Sequence, residues 1–381
     1  MENKRLKILH INCNYAGTVL HRKMIEQLDR HTDNTVFCPV RTGSTYDNRN
    51  DSNVIIAECF NNRDRYFFFH KQRKVYSTLK EHCDLQQFDI VHAYTLFTDG
   101  NVALNIKKEY GIPYVVAIRR TDLFFFEKRI NLRSKGKEIL KEAEAVFFLS
   151  PKAREELLDK HVPEGLRQEV EDKSRILPNG IDSFWLDNIY RERDLTGTLK
   201  RIKERKLKVI CVARISRRKN IPVIQEAIRE LNEKGWQIEL EVIGKAEDEG
   251  VLEKVSSYPF TSRLEHMPKE ELIHHYRDAD IFVLASRKET FGLVYAEAMS
   301  QGLPVIYTKG QGFDGHFKEG EVGYSVDCYS SEDIAEKILK VCEEYEDIAG
   351  NCLNNVNIFD WNRITEEYMD IYKDVGKGMP K

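Results

Sequence analysis

The chain has 381 residues, of which 41% are hydrophobic and 32% are charged, so it can bury a sizeable core in one large or two ordinary domains. This composition excludes a disordered chain and a disulfide-stapled miniprotein, and the formal net charge of −3 argues against a nucleic-acid-binding protein. No apolar run approaches the roughly 18 residues needed to span a bilayer, and the beginning, MENKRLKILH, predicts a strand and no secretory leader.

Eight cysteines are scattered singly, without the spacing of a zinc site. They are therefore expected to be small buried side chains in a reducing cytoplasm. The charge is unevenly divided along the chain. Residues 1–182 carry 30 Lys and Arg against 26 Asp and Glu, whereas the remainder carries 29 against 36. The first half is thus mildly basic and the second half acidic.

Short apolar runs rich in β-branched residues alternate with amphipathic segments in the first half. They do not alternate cleanly between polar and apolar positions, which is typical of strands buried on both faces of a parallel sheet. The predicted strands are 6–13, 35–40, 53–59, 89–94, 113–119 and 145–150.

The alternation stops at Pro178-Asn179-Gly180, a turn-forming tripeptide, and a charged, helix-prone stretch (188–207) follows. A second series of strands is then predicted at 208–214, 238–244, 281–286 and 304–308, with a helix over 221–235. This rhythm predicts an α/β protein of two Rossmann-like, doubly wound domains, 1–182 and 183–359. The amphipathic segment 360–381 is expected to pack back on the first domain.

Two loops of the second domain are candidates for phosphate and sugar binding, because open α/β sheets bind ligands beyond the carboxyl ends of their strands. Arg214 and Lys219 follow the strand 208–214 and suit a diphosphate, although a solvated basic turn is the alternative. Glu289 follows the strand 281–286. Gly292 allows close backbone approach at the start of the next helix, on which Glu297 lies. Two carboxylates beside such a site suit sugar hydroxyls; the alternative is that both are solvated surface acids.

These residues occur in a longer stretch, Glu289-Thr-Phe-Gly-Leu-Val-Tyr-Ala-Glu297-Ala-Met, that resembles the EX7E motif of retaining GT-B glycosyltransferases, in particular family 4. Other segments are similar to that family in the same order along the chain. They are Ile176-Leu-Pro-Asn-Gly-Ile-Asp182, Ala213-Arg214-Ile-Ser-Arg-Arg-Lys219, Val242-Ile-Gly244, Asp278–Ser286 and Phe359-Asp-Trp361. The first half resembles the family more loosely, through 89–93 and 113–122.

The resemblance implies a GT-B fold, with two Rossmann-like domains facing a cleft, and a role for each matching residue. Arg214 and Lys219 would bind the donor diphosphate, and Glu289 the donor sugar. Glu297 would bind the ribose, and the backbone at Phe291, Gly292 and Leu293 the sugar or phosphates. The nucleobase would lie near 244–265, with Gly244 and Arg263 as candidate contacts.

The first domain departs from the family at one position. Arg119 stands where the family often has a histidine that faces the reacting sugar, and arginine does not act as a base. Arg119 is therefore expected to stabilise phosphate charge or an anionic acceptor, or else to be a salt-bridged loop residue. Gly17, His92 and Asp122 are the candidate acceptor or cleft residues; the alternative for His92 is a core or loop histidine.

The function expected from this resemblance is transfer of a hexosyl or N-acetylhexosaminyl group from a UDP- or GDP-sugar to a hydroxyl acceptor, with retention. Surface polysaccharide, teichoic acid or glycolipid synthesis would be the context. No cofactor and no metal are expected, because two cations would stabilise the departing diphosphate, and Asp278-Ala-Asp280 leads straight into a buried strand. The alternatives are a nucleotide-sugar 2-epimerase and a non-catalytic nucleotide-sugar-binding partner.

Two segments of the first domain, 63–74 and 122–141, each place three consecutive phenylalanines among cations. This pattern suits an anionic membrane interface and a lipid-linked acceptor, which would make a cytoplasmic protein peripheral on the inner face of the membrane. The alternative is a pair of helices with phenylalanine packed inward and cations in water.

Overall fold

The computed structural model describes residues 5–46 and 53–377. Residues 1–4 belong to the stretch in which no secretory leader was predicted, and residues 378–381 end the predicted amphipathic segment. Both lie outside the described residues. The chain divides into two compact units: unit 1 is Met1–Asn179 with Trp361–Lys381, and unit 2 is Gly180–Asp360. The sequence analysis placed this boundary after residue 182.

Each unit is built on an open sheet whose strands are all parallel. The sheet of unit 1 has the order β3-β2-β1-β4-β5-β6-β7 and that of unit 2 the order β10-β9-β8-β11-β12-β13. The strands are β1 (Lys7–Ile11), β2 (Asp33–Arg41), β3 (Val54–Phe60), β4 (Ile90–Ala93), β5 (Tyr114–Ile118), β6 (Ala145–Phe148), β7 (Ser174–Ile176), β8 (Lys206–Val212), β9 (Gln237–Ile243), β10 (Thr261–Leu264), β11 (Ile281–Val283), β12 (Val305–Thr308) and β13 (Gly323–Val326).

Helices connect most of the consecutive strands, because parallel neighbours cannot be joined by a tight turn. Within the described residues they are α1 (Val19–Leu28), α2 (Phe68–His82), α3 (Thr98–Tyr110), α4 (Arg120–Lys128), α5 (Arg133–Glu142), α6 (Pro151–Lys160), α7 (Glu164–Asp172), α8 (Ser183–Asp187), α9 (Thr196–Lys203), α10 (Ile221–Glu233), α11 (Glu249–Ser256), α12 (Lys269–Asp278), α13 (Leu293–Ser300), α14 (Ser331–Glu343), α15 (Tyr345–Asn355) and α16 (Trp361–Lys377). None of these helices combines the length and the apolar character needed to cross a membrane.

The two faces of the unit 1 sheet are covered by different helices. The core on one face contains buried side chains from α2 to α7, and the core on the other face contains side chains from α1 and α16. Helix α16 buries Ile364, Tyr368 and Tyr372 along one stripe. The terminal helix therefore returns to unit 1 and completes the second helical layer, which a doubly wound sheet needs in order to bury both faces.

Three strands were not predicted from the sequence. β7, β10 and β13 are edge strands of three or four residues, and β10 is the polar run Thr-Ser-Arg-Leu. Strands this short, with polar or small residues such as those of Gly-Tyr-Ser-Val in β13, lack the continuous apolar run on which the prediction depends.

Candidate functional site

The strand order of unit 2 changes direction between β8 and β11, which lie side by side at the centre of the sheet. In open α/β sheets such a switch point leaves a crevice outside the carboxyl ends of the two strands. The turn 213–220 follows β8 and the loop 284–292 follows β11. Both segments singled out from the sequence therefore border this crevice.

The turn and the loop are joined to each other by hydrogen bonds. Asn220 adopts a left-handed conformation (φ 57°), which asparagine tolerates better than most residues, just before α10. Its amide donates to the carbonyls of Ala285 (3.3 Å) and Cys328 (2.6 Å). The backbone N–H of Arg287 donates to the carbonyl of Arg218 at 2.8 Å. These bonds hold the two loops in a fixed relation.

Lys219 and Glu289 form an ion pair across the crevice, with 2.6 Å between Nζ and Oε2. Each side chain is only 13% exposed, and the hydroxyl of Ser286 donates to the same carboxylate oxygen at 3.4 Å. Charges shielded from water interact more strongly than charges on an open surface. The structure thus brings together a cation suited to a phosphate and an acid suited to a sugar hydroxyl.

The loop that carries Glu289 is supported by a segment that the sequence analysis did not identify. The side-chain carbonyl of Gln311 accepts the backbone N–H of Glu289 at 3.0 Å. A Cβ atom on Gly312 would lie 1.9 Å from the carbonyl oxygen of Thr290, so only glycine fits there. The sequence signal was the glycine-rich run Gly310-Gln-Gly312 directly after a predicted strand.

The start of α13 presents backbone N–H groups without intrahelical partners. Gly292 has φ 84° and Leu293 is the first helical residue. The side chain of Phe291 is buried and packs against Phe359, so only its backbone could face a ligand. Glu297 lies about one turn into the helix and accepts a long hydrogen bond from the hydroxyl of Tyr276 (3.5 Å).

The other two donor-side cations pair with acids other than Glu289. Arg214 is exposed and paired with Glu247 at 2.7 Å, and Arg263 on β10 is paired with Glu265. Gly244, at the end of β9, packs against the turn that carries Arg214: a Cβ atom there would lie 2.0 Å from the carbonyl oxygen of Ala213. The backbone at Gly244 therefore lies so close to that turn that a residue with a Cβ atom would clash with it.

The sheet of unit 1 has its own switch point, between β1 and β4. Gly17 is exposed in a short 3-10 turn (Tyr15–Gly17) after β1. Arg119 follows β5, and its Nε donates to the carbonyl of Tyr94 after β4 at 3.1 Å. The predicted Gly17 and Arg119 therefore both lie at the carboxyl edge of this sheet.

Asp122 does not fit the predicted acceptor role. It is 2% exposed, and its carboxylate accepts the backbone N–H groups of Arg119 (2.8 Å) and Phe97 (3.3 Å). It therefore caps the first turn of α4, where orphan N–H groups need an acceptor. The side chain of Asp122 thus holds the start of a helix, whereas the sequence predicts an acceptor or cleft residue at this position.

The ring of His92 is fully buried inside unit 1, which agrees with the alternative of a core histidine. It stacks on Tyr94 at 4.3 Å between ring centroids and shares a hydrogen bond with the hydroxyl of Tyr372 (2.7 Å). Burial lowers the pKa of His92 well below its usual value. Since β4 is covered on both faces, His92 points into the core beneath α16 and not toward a ligand.

Asp280 has a structural role. Its buried carboxylate accepts from the hydroxyl of Thr198 (2.8 Å), from the backbone N–H of Lys208 (2.8 Å) and from Arg201. Asp278 is paired with the ammonium of Lys208 (2.8 Å). Among residues 5–46 and 53–377, no group of three or more His, Cys, Asp or Glu side chains is arranged to hold a metal ion.

Asp99, beside the unit 1 switch point, is a buried carboxylate that the sequence analysis missed. Its Oδ1 accepts the backbone N–H of Cys13 (3.3 Å), whereas Oδ2 has no hydrogen-bond partner in the described part of the chain. Burial raises the pKa of Asp99 to about 7 and that of Asp122 to about 6. Both groups hold a proton more tightly in the folded state than in the unfolded chain.

These pKa values predict how stability changes with pH. Because carboxyl groups of the unfolded chain titrate near pH ~4, these two groups bind more protons in the folded state between about pH 4 and 7, and their contribution to the free energy of unfolding falls as pH rises through that range. The buried His10, His21 and His92 have lowered pKa values and contribute in the opposite direction. Asp99→Asn removes one falling contribution, so urea denaturation is expected to show a variant that is more stable at pH 8 relative to pH 5 than the parent is; an unchanged difference between the two pH values would contradict the assignment.

Comparisons with known proteins bear on both units. The family model described as "Glycosyltransferase Family 4" matches residues 16–183, and that described as "Glycosyl transferases group 1" matches residues 199–352. The second match contains both loops of the unit 2 crevice and the Lys219–Glu289 pair.

The curated relatives have low sequence identity but align with most of the chain. The alpha-monoglucosyldiacylglycerol synthase of Acholeplasma laidlawii is 24% identical over 292 residues, which cover 71% of this chain and 71% of that protein. The D-inositol 3-phosphate glycosyltransferase of Paenarthrobacter aurescens is 22% identical, with coverage of 77% and 74% respectively.

Solved structures share the fold. Sucrose-phosphate synthase from Thermosynechococcus elongatus has a TM-score of 0.73 at 18% identity, covering 98% of this chain and 100% of that chain. Anabaena HepE in complex with UDP and glucose has a TM-score of 0.66 at 15% identity, with 97% and 100% covered. At such identities the likeness concerns the arrangement of strands and helices alone.

Proposed function

The chain belongs to the GT-B glycosyltransferases of family 4 and transfers glycosyl groups, and we propose that unit 2 binds a nucleoside-diphosphate sugar whose sugar passes to an acceptor hydroxyl with retention. The observation that carries this proposal is the Lys219–Glu289 pair at the switch point of the unit 2 sheet. One cation and one acid lie within a single crevice, and this supports a site for a phosphate beside a sugar hydroxyl.

The proposed chemistry follows from the charges that develop as the donor breaks. The anomeric carbon becomes positive and the departing diphosphate becomes negative. Lys219, Arg214 and the N–H groups at the start of α13 would stabilise the diphosphate, and Lys219 and the helix N–H groups are held in place before the reaction begins. These cations support a metal-independent transfer.

Donor recognition is proposed to involve both acids of the motif. The Glu289 carboxylate would accept hydrogen bonds from sugar hydroxyls, and Glu297 from the ribose, while neither would tolerate a phosphate at close range. Lys219 pairs with Glu289, and the same ammonium could also donate to a diphosphate while the Glu289 carboxylate accepts from the sugar.

The acceptor is proposed to bind unit 1, with Arg119 and Gly17 at the carboxyl edge of its sheet. One relative is named for a glucosylated diacylglycerol and another for an inositol phosphate, so a lipid or sugar hydroxyl is the acceptor class we propose. A glucosyl or other hexosyl group, or an N-acetylhexosaminyl group, is the donor sugar class, in surface polysaccharide, teichoic acid or glycolipid synthesis.

A thermal-shift screen of UDP, GDP, ADP and their sugars tests donor binding. A ligand at 100 times its Kd is expected to stabilise the protein by about 2.7 kcal/mol. Incubating the stabilising donor with candidate acceptors and determining the anomeric configuration of the product by NMR tests retention. An inverted product contradicts the proposed mechanism, and the absence of stabilisation by any nucleotide sugar contradicts the proposed donor class.

A further inference from the structure

Two segments of unit 1 that are about sixty residues apart in sequence form one surface. A groove of about 350 Å³ is lined by Arg65–His70 from one segment and by Phe125, Arg129, Asn131 and Leu132 from the other. We call the residues Arg65–His70 and Phe124–Leu132 the aromatic surface. The tertiary structure therefore joins the two phenylalanine-rich segments.

Most of the large apolar side chains that are exposed in the described residues belong to this surface. Five of seven lie on it, led by Tyr66 at 78%, Ile130 at 73% and Phe67 at 66%. The other two, Val19 and Tyr329, lie elsewhere along the chain. Scattered exposed apolar residues need no explanation, but a contiguous cluster marks an interaction site.

The exposed side chains stand on a rigid base. Phe68 and Phe125 pack against the same core of unit 1, and Phe126 is fully buried within it. The buried carboxylate of Asp64 accepts from the backbone N–H of Asn61 (2.9 Å) and from the ammonium of Lys74 (2.9 Å), which fixes the short turn before α2. Each phenylalanine triplet thus divides between core and solvent, and its outward members are held there.

The charges around the aromatic surface are mainly positive. Arg63, Arg65, Lys128 and Arg129 are exposed, and among the described residues no side chain forms an ion pair with any of them. Glu127 is the exposed acid nearest in sequence, because Asp64 is buried and neutralised by Lys74. Uncompensated cations beside exposed aromatics favour an anionic partner with an apolar interior.

We propose that the aromatic surface docks unit 1 onto an anionic lipid bilayer. Tyrosine and phenylalanine side chains would enter the boundary between headgroups and acyl chains, and the arginines and lysine would contact lipid phosphates. A protein partner or a second copy of the chain would need acids to match these cations. An anionic bilayer has phosphates that pair with the cations and an acyl-chain region that accepts the exposed aromatic side chains, so it matches both features of the surface.

Sedimentation with vesicles tests the proposal without any donor or acceptor, so its outcome is independent of the proposed transfer reaction. The full chain is expected to sediment with vesicles of phosphatidylglycerol and phosphatidylcholine, to remain in solution with phosphatidylcholine alone, and to bind less as salt rises. Arg65→Glu with Arg129→Glu is expected to weaken binding by about tenfold or more, since each basic residue contributes about 1 kcal/mol at such a membrane.

Tyr66→Ser with Phe67→Ser tests the apolar contribution and is expected to reduce vesicle binding with an unchanged melting temperature, because both side chains are exposed. Tyr329→Ser, an equally exposed aromatic of unit 2, is the matched control and should bind as the parent does. Equal binding by the parent and by both double variants, or no binding to anionic vesicles, would overturn the proposal. So would dimerisation in lipid-free solution that Tyr66→Ser with Phe67→Ser abolishes, since that places a second copy on the surface.

Discussion

Replacing Lys219 by methionine is expected to lower kcat/KM for glycosyl transfer by about 10²- to 10³-fold. The ammonium is the least exposed cation of the proposed donor site and is held 2.6 Å from Glu289, so water replaces it poorly. Methionine retains most of the side-chain volume and removes only the charge. The measurement is the initial rate of sugar transfer with the donor that the thermal-shift screen identifies.

Stability has to be separated from catalysis in this variant. Removing Lys219 leaves the Glu289 carboxylate without its counter-ion in a mostly shielded site, which is expected to cost about 1–3 kcal/mol of folding free energy. The double variant Lys219→Met with Glu289→Gln removes both charges and should recover most of that stability while the rate stays low.

A control comes from a second Lys–Asp/Glu pair in the same unit. Lys208 lies on β8 and pairs with Asp278 at 2.8 Å, away from the crevice at the carboxyl end of that strand. Lys208→Met should leave kcat/KM within about twofold of the parent, as expected for an exposed ion pair. Full activity of Lys219→Met, or an equal loss in Lys208→Met, would show that the ion pair at the crevice has no special role.

Gly312→Ala is expected to have the second large effect, on both stability and activity. Its Cβ atom would lie 1.9 Å from the carbonyl oxygen and 2.4 Å from the carbonyl carbon of Thr290. Both are backbone atoms and cannot rotate away, so the loop that carries Glu289 must shift. The free energy of unfolding should fall by about 3 kcal/mol and the Lys219–Glu289 pair should be lost, with a large drop in transfer rate.

Gly310→Ala is the matched control, two residues earlier in the same segment. Gly310 has φ 71° but open space around the position of a Cβ atom. Alanine there meets only the backbone penalty of the left-handed region, about 1 kcal/mol, and should leave the transfer rate nearly unchanged. The melting temperatures and transfer rates of the two variants are to be measured side by side. If both substitutions have equal effects, the clash with Thr290 is not the cause of the loss.

The central strands were predictable because they are buried on both faces, which makes them continuous apolar runs. The seven-residue edge strand β3 was also predicted, but the short edge strands were not: β10 and β13 have four residues each and pair on one side only. Their positions are decided by pairing with β9 and β12, and pairing is not visible in local composition.

The residues of the candidate site likewise include some that the sequence predicted and some that it did not. Arg214, Lys219 and Glu289 were identified because ionisable residues soon after predicted strands are informative without knowing any contact, and Glu297 because it is an acid within the apolar helical run that follows. Gln311 and Asn220 were missed, since each acts through a hydrogen bond to a loop more than twenty residues away. An amide side chain in a turn does not indicate in sequence which distant backbone group it will contact.

The sequence by itself determined the class of fold, the division into two units and the motif residues, because the strand periodicity and the short-range spacing of charges are local properties of the chain. Only the tertiary structure decided which of those residues face a crevice. The sequence made His92 and Asp122 candidates for contact with a substrate. In the structure, however, His92 is covered by α16 and Asp122 caps α4. Burial depends on elements that arrive from elsewhere: α16 follows His92 by more than 260 residues, and its packing converts a polar strand residue into part of the core.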